Sequence, residues 1–217
     1  MRIVVTAGPT REPIDPVRFI SNRSSGKMGY AIAEAALDAG HDVILIPGPT
    51  ALAAPSAAHV VRITTADDLY AAVHQHVVNC DLLIMCAAVS DYKPVTTAVQ
   101  KLEKHEGPFA LPLEPTRDIL ASLPRTDRSY FVVGFAAQTY DLERHGRRKL
   151  FAKHCDAIVA NDVSGNEIGM ESDYNEVTIY SHDHAPEQIS RTSKKNIARQ
   201  ILKIVFALRE KSLTKKS

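Results

Sequence analysis

Apolar runs of strand length alternate with stretches of helical periodicity along this chain. Ile3 to Ala7 predicts a first strand, and Met28 to Ala39 predicts a helix ended by Gly40. Asp42 to Pro47 predicts a second strand. Thr65 is placed to cap a helix reaching Val78, with Asp68 three residues on as its reciprocal partner. Leu82 to Cys86 is apolar throughout, as befits a strand buried on both faces. A short helix is expected over Asp118 to Leu123. Strands follow at Tyr130 to Phe135 and Ala157 to Ala160, separated by a helix from Leu142 to His154. Glu176 to Ser181 is expected as an edge strand. Ile197, Ile201, Ile204, Val205 and Leu208 mark a last helix. This order predicts an α/β, Rossmann-like, doubly wound and mostly parallel sheet with helices on both faces. Right-handed crossovers gather loops 8–27, 47–64, 87–117, 135–141 and 160–175 at one edge. Residues 1–217 read as one domain, with 211–217 expected to fray. Segment 93–115 carries four prolines and little periodicity, and is expected to be mobile.

Composition narrows the classes. The 217 residues are 45% hydrophobic with a formal net charge of +1. That balance gives no global attraction to nucleic acid or to a membrane surface. No apolar run approaches a membrane span, and no signal-peptide pattern opens the chain, so a cytoplasmic protein is expected. Cys80, Cys86 and Cys155 are odd in number and read as reduced structural thiols. The nine histidines show no ligand spacing, so no protein metal site is expected.

The densest chemistry lies in Ile20 to Gly29, which holds small hydroxyl residues, Asn22, two glycines and Lys27 ahead of the first helix. Such a loop lets backbone N–H groups approach an anion at a helix N-terminus. It is not a P-loop: Ser21 stands where the leading glycine belongs, and Met28 where serine or threonine would follow the lysine. Gly8-Pro9-Thr10 does not supply a dinucleotide fingerprint either. Cys86 to Tyr92 leaves the central strand with small residues and one carboxylate, Asp91; a plain turn is the competing account. Lys101-Leu102-Glu103-Lys104 offers a loop lysine for neutralising phosphate charge, against the commoner role of a solvated charge run. Lys149 and Lys153, four apart and flanked by Arg144, Arg147 and Arg148, make a basic helix face suited to polyphosphate or simply to water. Asn161-Asp162-Val163 ends another strand at the same edge, with a turn-forming Asn-Asp pair as the plain account.

Taken with Val5 to Arg18, Val133 to Thr139 and Ala160 to Asp162, these segments resemble the phosphopantothenate–cysteine ligase family in order and over nearly the whole chain. The resemblance implies a two-step amide ligation of 4′-phosphopantothenate and cysteine through an acyl-nucleotide, with CTP or ATP as co-substrate and Mg2+ accompanying it. It implies that Asn22 orients the intermediate and that Lys101 serves the first step. Gly8, Ala87, Asp91, Arg117, Asp118, Ile119, Leu120, Phe135, Lys149 and Lys153 correspond to nucleotide-binding positions. Ser24, Ser25, Gly26 and Lys27 are expected at the substrate. Two positions depart from the family pattern: Glu103 replaces a lysine, and Arg117 stands where proline is frequent. A homodimer is implied, as is a stand-alone ligase without flavin, whose flavin-dependent decarboxylase would be a separate protein. The rival readings are a nicotinamide-dependent oxidoreductase and a non-enzymatic nucleotide-binding module.

Overall fold

A computed structural model describes residues 1–104, 106–126, 128–138, 141–162 and 172–214. Thr139, Val163, most of loop 160–175 and the last three residues of the expected frayed tail lie outside the described residues.

The chain forms β1 (Arg2–Ala7), β2 (Arg11–Pro13), β3 (Phe19–Ser21), α1 (Lys27–Asp38), β4 (Asp42–Pro47), β5 (His59–Val60), α2 (Ala66–Val77), β6 (Leu82–Met85), β7 (Tyr92–Pro94), β8 (Leu113–Pro115), α3 (Ile119–Ser122), β9 (Phe131–Gln138), α4 (Leu142–Ala152), β10 (Ala157–Asp162), β11 (Tyr174–Ser181), β12 (Glu187–Ser193) and α5 (Lys194–Thr214). Eight strands make the central sheet in the order β12-β11-β10-β9-β6-β1-β4-β5. The run from β10 to β5 is parallel, and β11 and β12 add antiparallel strands at one end. This is the doubly wound sheet expected from the alternation of periods.

Period two assigns the layers. On β1, Ile3, Val5 and Ala7 face the core beneath α1 and α5, while Val4 faces the core beneath α2, α3 and α4. All four are fully buried. The capping box on α2 is present as expected: Thr65 accepts from the Asp68 N–H at 3.1 Å, and the Asp68 carboxylate accepts from the Thr65 N–H at 2.9 Å. Helix α1 sits close to the end of β1 because of Gly29. A Cβ there would lie 2.5 Å from the Ala7 Cβ and 3.0 Å from the Ala7 Cα. Gly29→Ala is therefore expected to lower stability by about 1–3 kcal/mol, the usual cost of overpacking, and urea denaturation would measure it.

Three expectations need correction. Glu176 to Ser181 is covered on its outer side by β12, so it is not the edge. Ile189 is the one strongly buried apolar residue of β12, too little to register as alternation. Lys211 to Thr214 continue α5 rather than fray, with Ser212 and Thr214 hydroxyls donating to the Arg209 and Lys211 carbonyls. Segment 93–115 is not simply a mobile connection. Its ends pair as the β7–β8 ribbon, and its middle docks on the 13–18 turn. There Ala98 N–H donates to the Ile14 carbonyl at 2.9 Å, and Leu102 N–H donates to Asp15 at 3.1 Å.

Asp15 organises that docking. Its buried carboxylate also accepts from the N–H groups of Val17 and Arg18 and from the Arg18 guanidinium, whose Nη2 reaches the Leu102 carbonyl at 2.7 Å. Burial opposes the charge, but these donors outweigh it and hold the carboxyl well below its ordinary value. A depressed native carboxyl contributes stability that is complete above the unfolded value near 4 and is lost as pH falls toward the native one. Asp15→Asn is thus expected to flatten the acid limb of the unfolding profile below about pH 4, a change readable by thermal melts across pH.

Candidate active site

The site lies where the carboxyl ends of the parallel strands meet α1, the position open α/β sheets use for ligands. The chain enters α1 through Gly26, whose φ of +79° is costly for any residue with a Cβ. A Cβ there would also lie 2.9 Å from Thr50 Cγ2 and 3.3 Å from the Gly8 Cα. Ser24 Oγ accepts from the Gly26 N–H at 3.4 Å. The Asn22 side-chain amide donates to the Ala88 carbonyl at 3.1 Å, joining this loop to the strand exit of β6. Threonines fix that exit: Thr6 Oγ1 accepts from Ala87 N–H and Thr10 Oγ1 from Ser90 N–H, each at 3.0 Å, while Thr116 donates to the Ser90 carbonyl at 2.6 Å.

Between these segments lies a cleft of about 520 Å³. Of the residues expected at the site, Asn22, Ser24, Gly26, Lys27, Ala87, Asp91, Arg117, Asp118, Ile119, Leu120, Phe135, Lys149 and Lys153 line it. Gly8 and Ser25 stand behind the lining: Gly8 accepts from the Ala88 N–H at 2.9 Å, and Ser25 Oγ accepts from the Lys27 N–H at 3.5 Å. Lys101 is exposed and is not part of the cleft wall. Cys86, Ala137, Thr116, Asn175 and Lys194 line the cleft without having been singled out as ligand contacts. Asn161, read from the sequence as part of a turn-forming pair at this edge, lines it as well.

The electrostatics are lopsided. Among the described residues, five cations (Lys27, Arg117, Lys149, Lys153 and Lys194) line the cleft against two carboxylates, Asp91 and Asp118. In a chain of net charge +1, this concentrates positive charge in one place. Lys149 donates to the Phe135 carbonyl, and burial lowers its proton affinity, with Lys153 adding to the effect. Lys153 pairs with Asp118, which also caps α3 by accepting from the Ala121 N–H at 3.1 Å. Burial would raise the Asp118 carboxyl, but Lys153 and that N–H bring it below its usual range. Arg117 is set by Asp67, 3.6 Å away, and by the Tyr70 ring beneath its guanidinium at 5.0 Å. Burial pushes the Cys86 thiol up to about 12, so it stays protonated at neutral pH. Such a cleft suits a polyanion with an uncharged end: cations and backbone N–H groups for phosphate, and Phe135, Ile119 and Leu120 for a flat apolar group.

Comparison with known proteins shows the family of this chain. The profile described as DNA/pantothenate metabolism flavoprotein C-terminal domain matches residues 1–208. The coenzyme A biosynthesis bifunctional protein CoaBC of Bacillus subtilis is 44% identical over 207 residues, 95% of this chain and 51% of that protein. The protein of the same name from Escherichia coli K12 is 40% identical over 206 residues, 93% of this chain and 50% of that one. The chain thus spans about half the length of the curated relatives it matches. The crystal structure of the C-terminal domain of a CoaBC protein superposes with a TM-score of 0.82 at 42% identity, covering 97% of this chain and 98% of that one. By profile, sequence and structure, this chain belongs to the DNA/pantothenate metabolism flavoprotein C-terminal domain family.

Proposed function

We propose that this chain is a ligase that joins 4′-phosphopantothenate to cysteine in coenzyme A biosynthesis, using CTP or ATP. The carrying observation is that separate segments matching the ligase pattern converge on one cationic cleft. The chemistry asked of it is explicit. A carboxylate oxygen of phosphopantothenate attacks the α-phosphorus, the bond to the bridging oxygen breaks, and pyrophosphate leaves with the electron pair. The amine of cysteine then attacks the acyl carbon, the nucleoside monophosphate departs, and the nitrogen loses a proton. In this reading Asn22 holds the acyl-nucleotide, Lys101 serves the first step, and Ser24, Ser25, Gly26 and Lys27 supply N–H groups and charge to a phosphate. Arg117 to Leu120, Phe135, Lys149 and Lys153 form the nucleotide wall. The supporting experiment is pyrophosphate release that requires phosphopantothenate together with CTP or ATP, and amide formation that further requires cysteine. Pyrophosphate release without phosphopantothenate would overturn the reading.

Magnesium prefers oxygen ligands and usually binds through substrate phosphates, waters and one or two carboxylates. Among the described residues no group of three or more His, Cys, Asp or Glu side chains is placed to hold an ion. The cleft offers Asp91, with Asp118 already paired to Lys153. That donor set fits an ion carried in by the triphosphate, which when bound offsets phosphate charge. Chelation is expected to abolish pyrophosphate release, and added magnesium to restore it. Arg117 is two-thirds exposed, so its charge is screened by water. Arg117→Ala is expected to weaken nucleotide binding by less than about ten-fold, as calorimetry would show.

We assign the enzyme to the cytoplasm, where its soluble substrates would meet; among the described residues no helix is long and apolar enough to cross a membrane. The flavin-dependent step is assigned to a decarboxylase outside the described residues. A homodimer is supported by exposed apolar side chains on and beside the two ribbons, Val17, Phe19, Tyr92, Val95, Val99 and Leu113. Val95→Glu combined with Val99→Glu is expected to shift sedimentation from dimer to monomer.

A further inference from the structure

We propose that Asp67, Tyr70 and His74, one stripe of α2, brace the segment 116–122 from behind and so hold in place the wall that meets the nucleotide. They are positioning residues. Asp67, Tyr70, His74 and Ser122 stand outside the cleft lining, whereas Arg117, Asp118, Ile119 and Leu120 belong to it. The inference rests on the ligase reading for its ligand and adds how that wall is kept in register.

The wall needs support because α3 is a single turn, Ile119–Ser122. One turn does not sustain itself in water, since its few hydrogen bonds do not offset the cost of nucleation. The Asp118 carboxylate caps its start, and Ile119 anchors it in the core shared with Leu69 and Val73 of α2. Leu120 is half-buried, and Ser122 at the far end is exposed. That far end is where α2 reaches it: His74 Nε2 lies 2.9 Å from Ser122 Oγ. The Ser122 hydroxyl gives its own proton to the Ile119 carbonyl at 2.7 Å. Its oxygen is therefore the acceptor toward α2, and His74 Nε2 carries the hydrogen.

The same stripe meets the start of the segment. Residues 67, 70 and 74 share a helix face through spacings of three and four. They flank the buried stripe Ala66, Leu69, Val73 and Val77, which already packs α2 on the sheet. Asp67 lies 3.6 Å from the Arg117 guanidinium and is itself fixed by Lys93 of β7 at 2.7 Å. The Tyr70 ring lies beneath that guanidinium at 5.0 Å, and the His74 ring leans on Tyr70 with centroids 4.3 Å apart. The stripe thus touches Arg117 at one end and Ser122 at the other, with the ligand-facing Asp118, Ile119 and Leu120 between them. On the opposite side, the Thr116 N–H is tied to the Asp91 carbonyl at 2.9 Å. A wall held at both ends takes its ligand without first being ordered. A wall loose at one end lowers apparent affinity by the fraction of molecules in which it is in place.

The test combines calorimetry with CTP and with ATP, each with magnesium, and steady-state ligation. His74→Phe keeps an aromatic ring against Tyr70 and removes the donor. It is expected to weaken nucleotide binding about three- to ten-fold, the range for losing one hydrogen bond. The nucleotide KM should rise by the same factor, while kcat and the phosphopantothenate KM stay unchanged. His74→Gln presents an N–H at similar reach and should recover most of the loss. Ser122→Ala should match His74→Phe, and the double variant should be no worse than either, because both remove the same bond. A lowered melting temperature with unchanged nucleotide affinity in both single variants makes the contact merely structural and overturns the proposal, as do additive losses in the double variant. Should His74→Phe fail to fold, Ser122→Ala, a change at an exposed position, decides by the same readings. A wild type that ligates while both variants keep full nucleotide affinity refutes the brace and leaves the ligase reading standing. A wild type that binds nucleotide but makes no amide, with the loss present in both variants, refutes the ligase reading and supports the brace. A wild type that binds neither nucleotide overturns both.

Discussion

Lys101→Gln is expected to slow formation of the acyl-nucleotide by a hundred-fold or more, the scale seen when one preorganised electrostatic donor is removed. Lys104→Gln should cost less than about five-fold, as expected of a solvent-screened charge. The asymmetry follows from how the loop is held. Leu102, the residue after Lys101, is tied through its N–H to Asp15 and through its carbonyl to Arg18. Lys101 therefore hangs next to a fixed point, whereas Lys104 lies two residues beyond it. Lys101 is exposed and is not part of the cleft wall, so the proposed role requires its ammonium to reach the phosphates from outside that wall. Rapid quench of phosphopantothenate with nucleotide, cysteine omitted, isolates the step. Asp15→Asn supplies a control with no ligand contact of its own: it should slow the same step while leaving nucleotide affinity unchanged. Equal and small effects at Lys101 and Lys104 would reduce the loop to a solvated charge run.

The parts that could be read from sequence are those governed by local rules. Thr65 and Asp68 announce their capping box at fixed spacing, and the apolar run Ile3-Val4-Val5 of β1 needs no partner to be seen. The small ribbons β2–β3 and β7–β8 escape because three-residue strands carry no measurable period. Strand β12 escapes because it is polar along most of its length and is defined by pairing with β11. At the site, the motif residues converge because they follow strand ends. Lys194 could not be found that way. It sits in Ser193-Lys194-Lys195, which looks like a solvated run, and Lys195 is indeed largely exposed and paired with Glu34 at 3.2 Å. Only the packing of α5 against α1 distinguishes the buried lysine from its exposed neighbour.

Asn22→Asp is expected to stop the reaction after its first half. The variant should still form the acyl-nucleotide, and mass spectrometry of quenched mixtures should find that species accumulating while amide product falls by a hundred-fold or more, as for loss of an oriented polar donor. The argument is one of donors and acceptors. The Asn22 amide nitrogen has two hydrogens, one of which goes to the Ala88 carbonyl. The other is available to an acyl or phosphoryl oxygen in the cleft that Asn22 lines. Aspartate of the same size offers oxygens alone when ionised, so it loses the bond to Ala88 and repels the anionic intermediate. The activation step is less exposed to this change, because its developing charge lies on the departing pyrophosphate. Asn22→Ala separates the two effects. It removes both donors without adding charge, so it should trap less intermediate than aspartate does. Wild-type amide yield from Asn22→Asp, with no trapped species, would remove Asn22 from the site's chemistry and leave it as the clasp between the α1 loop and the β6 exit.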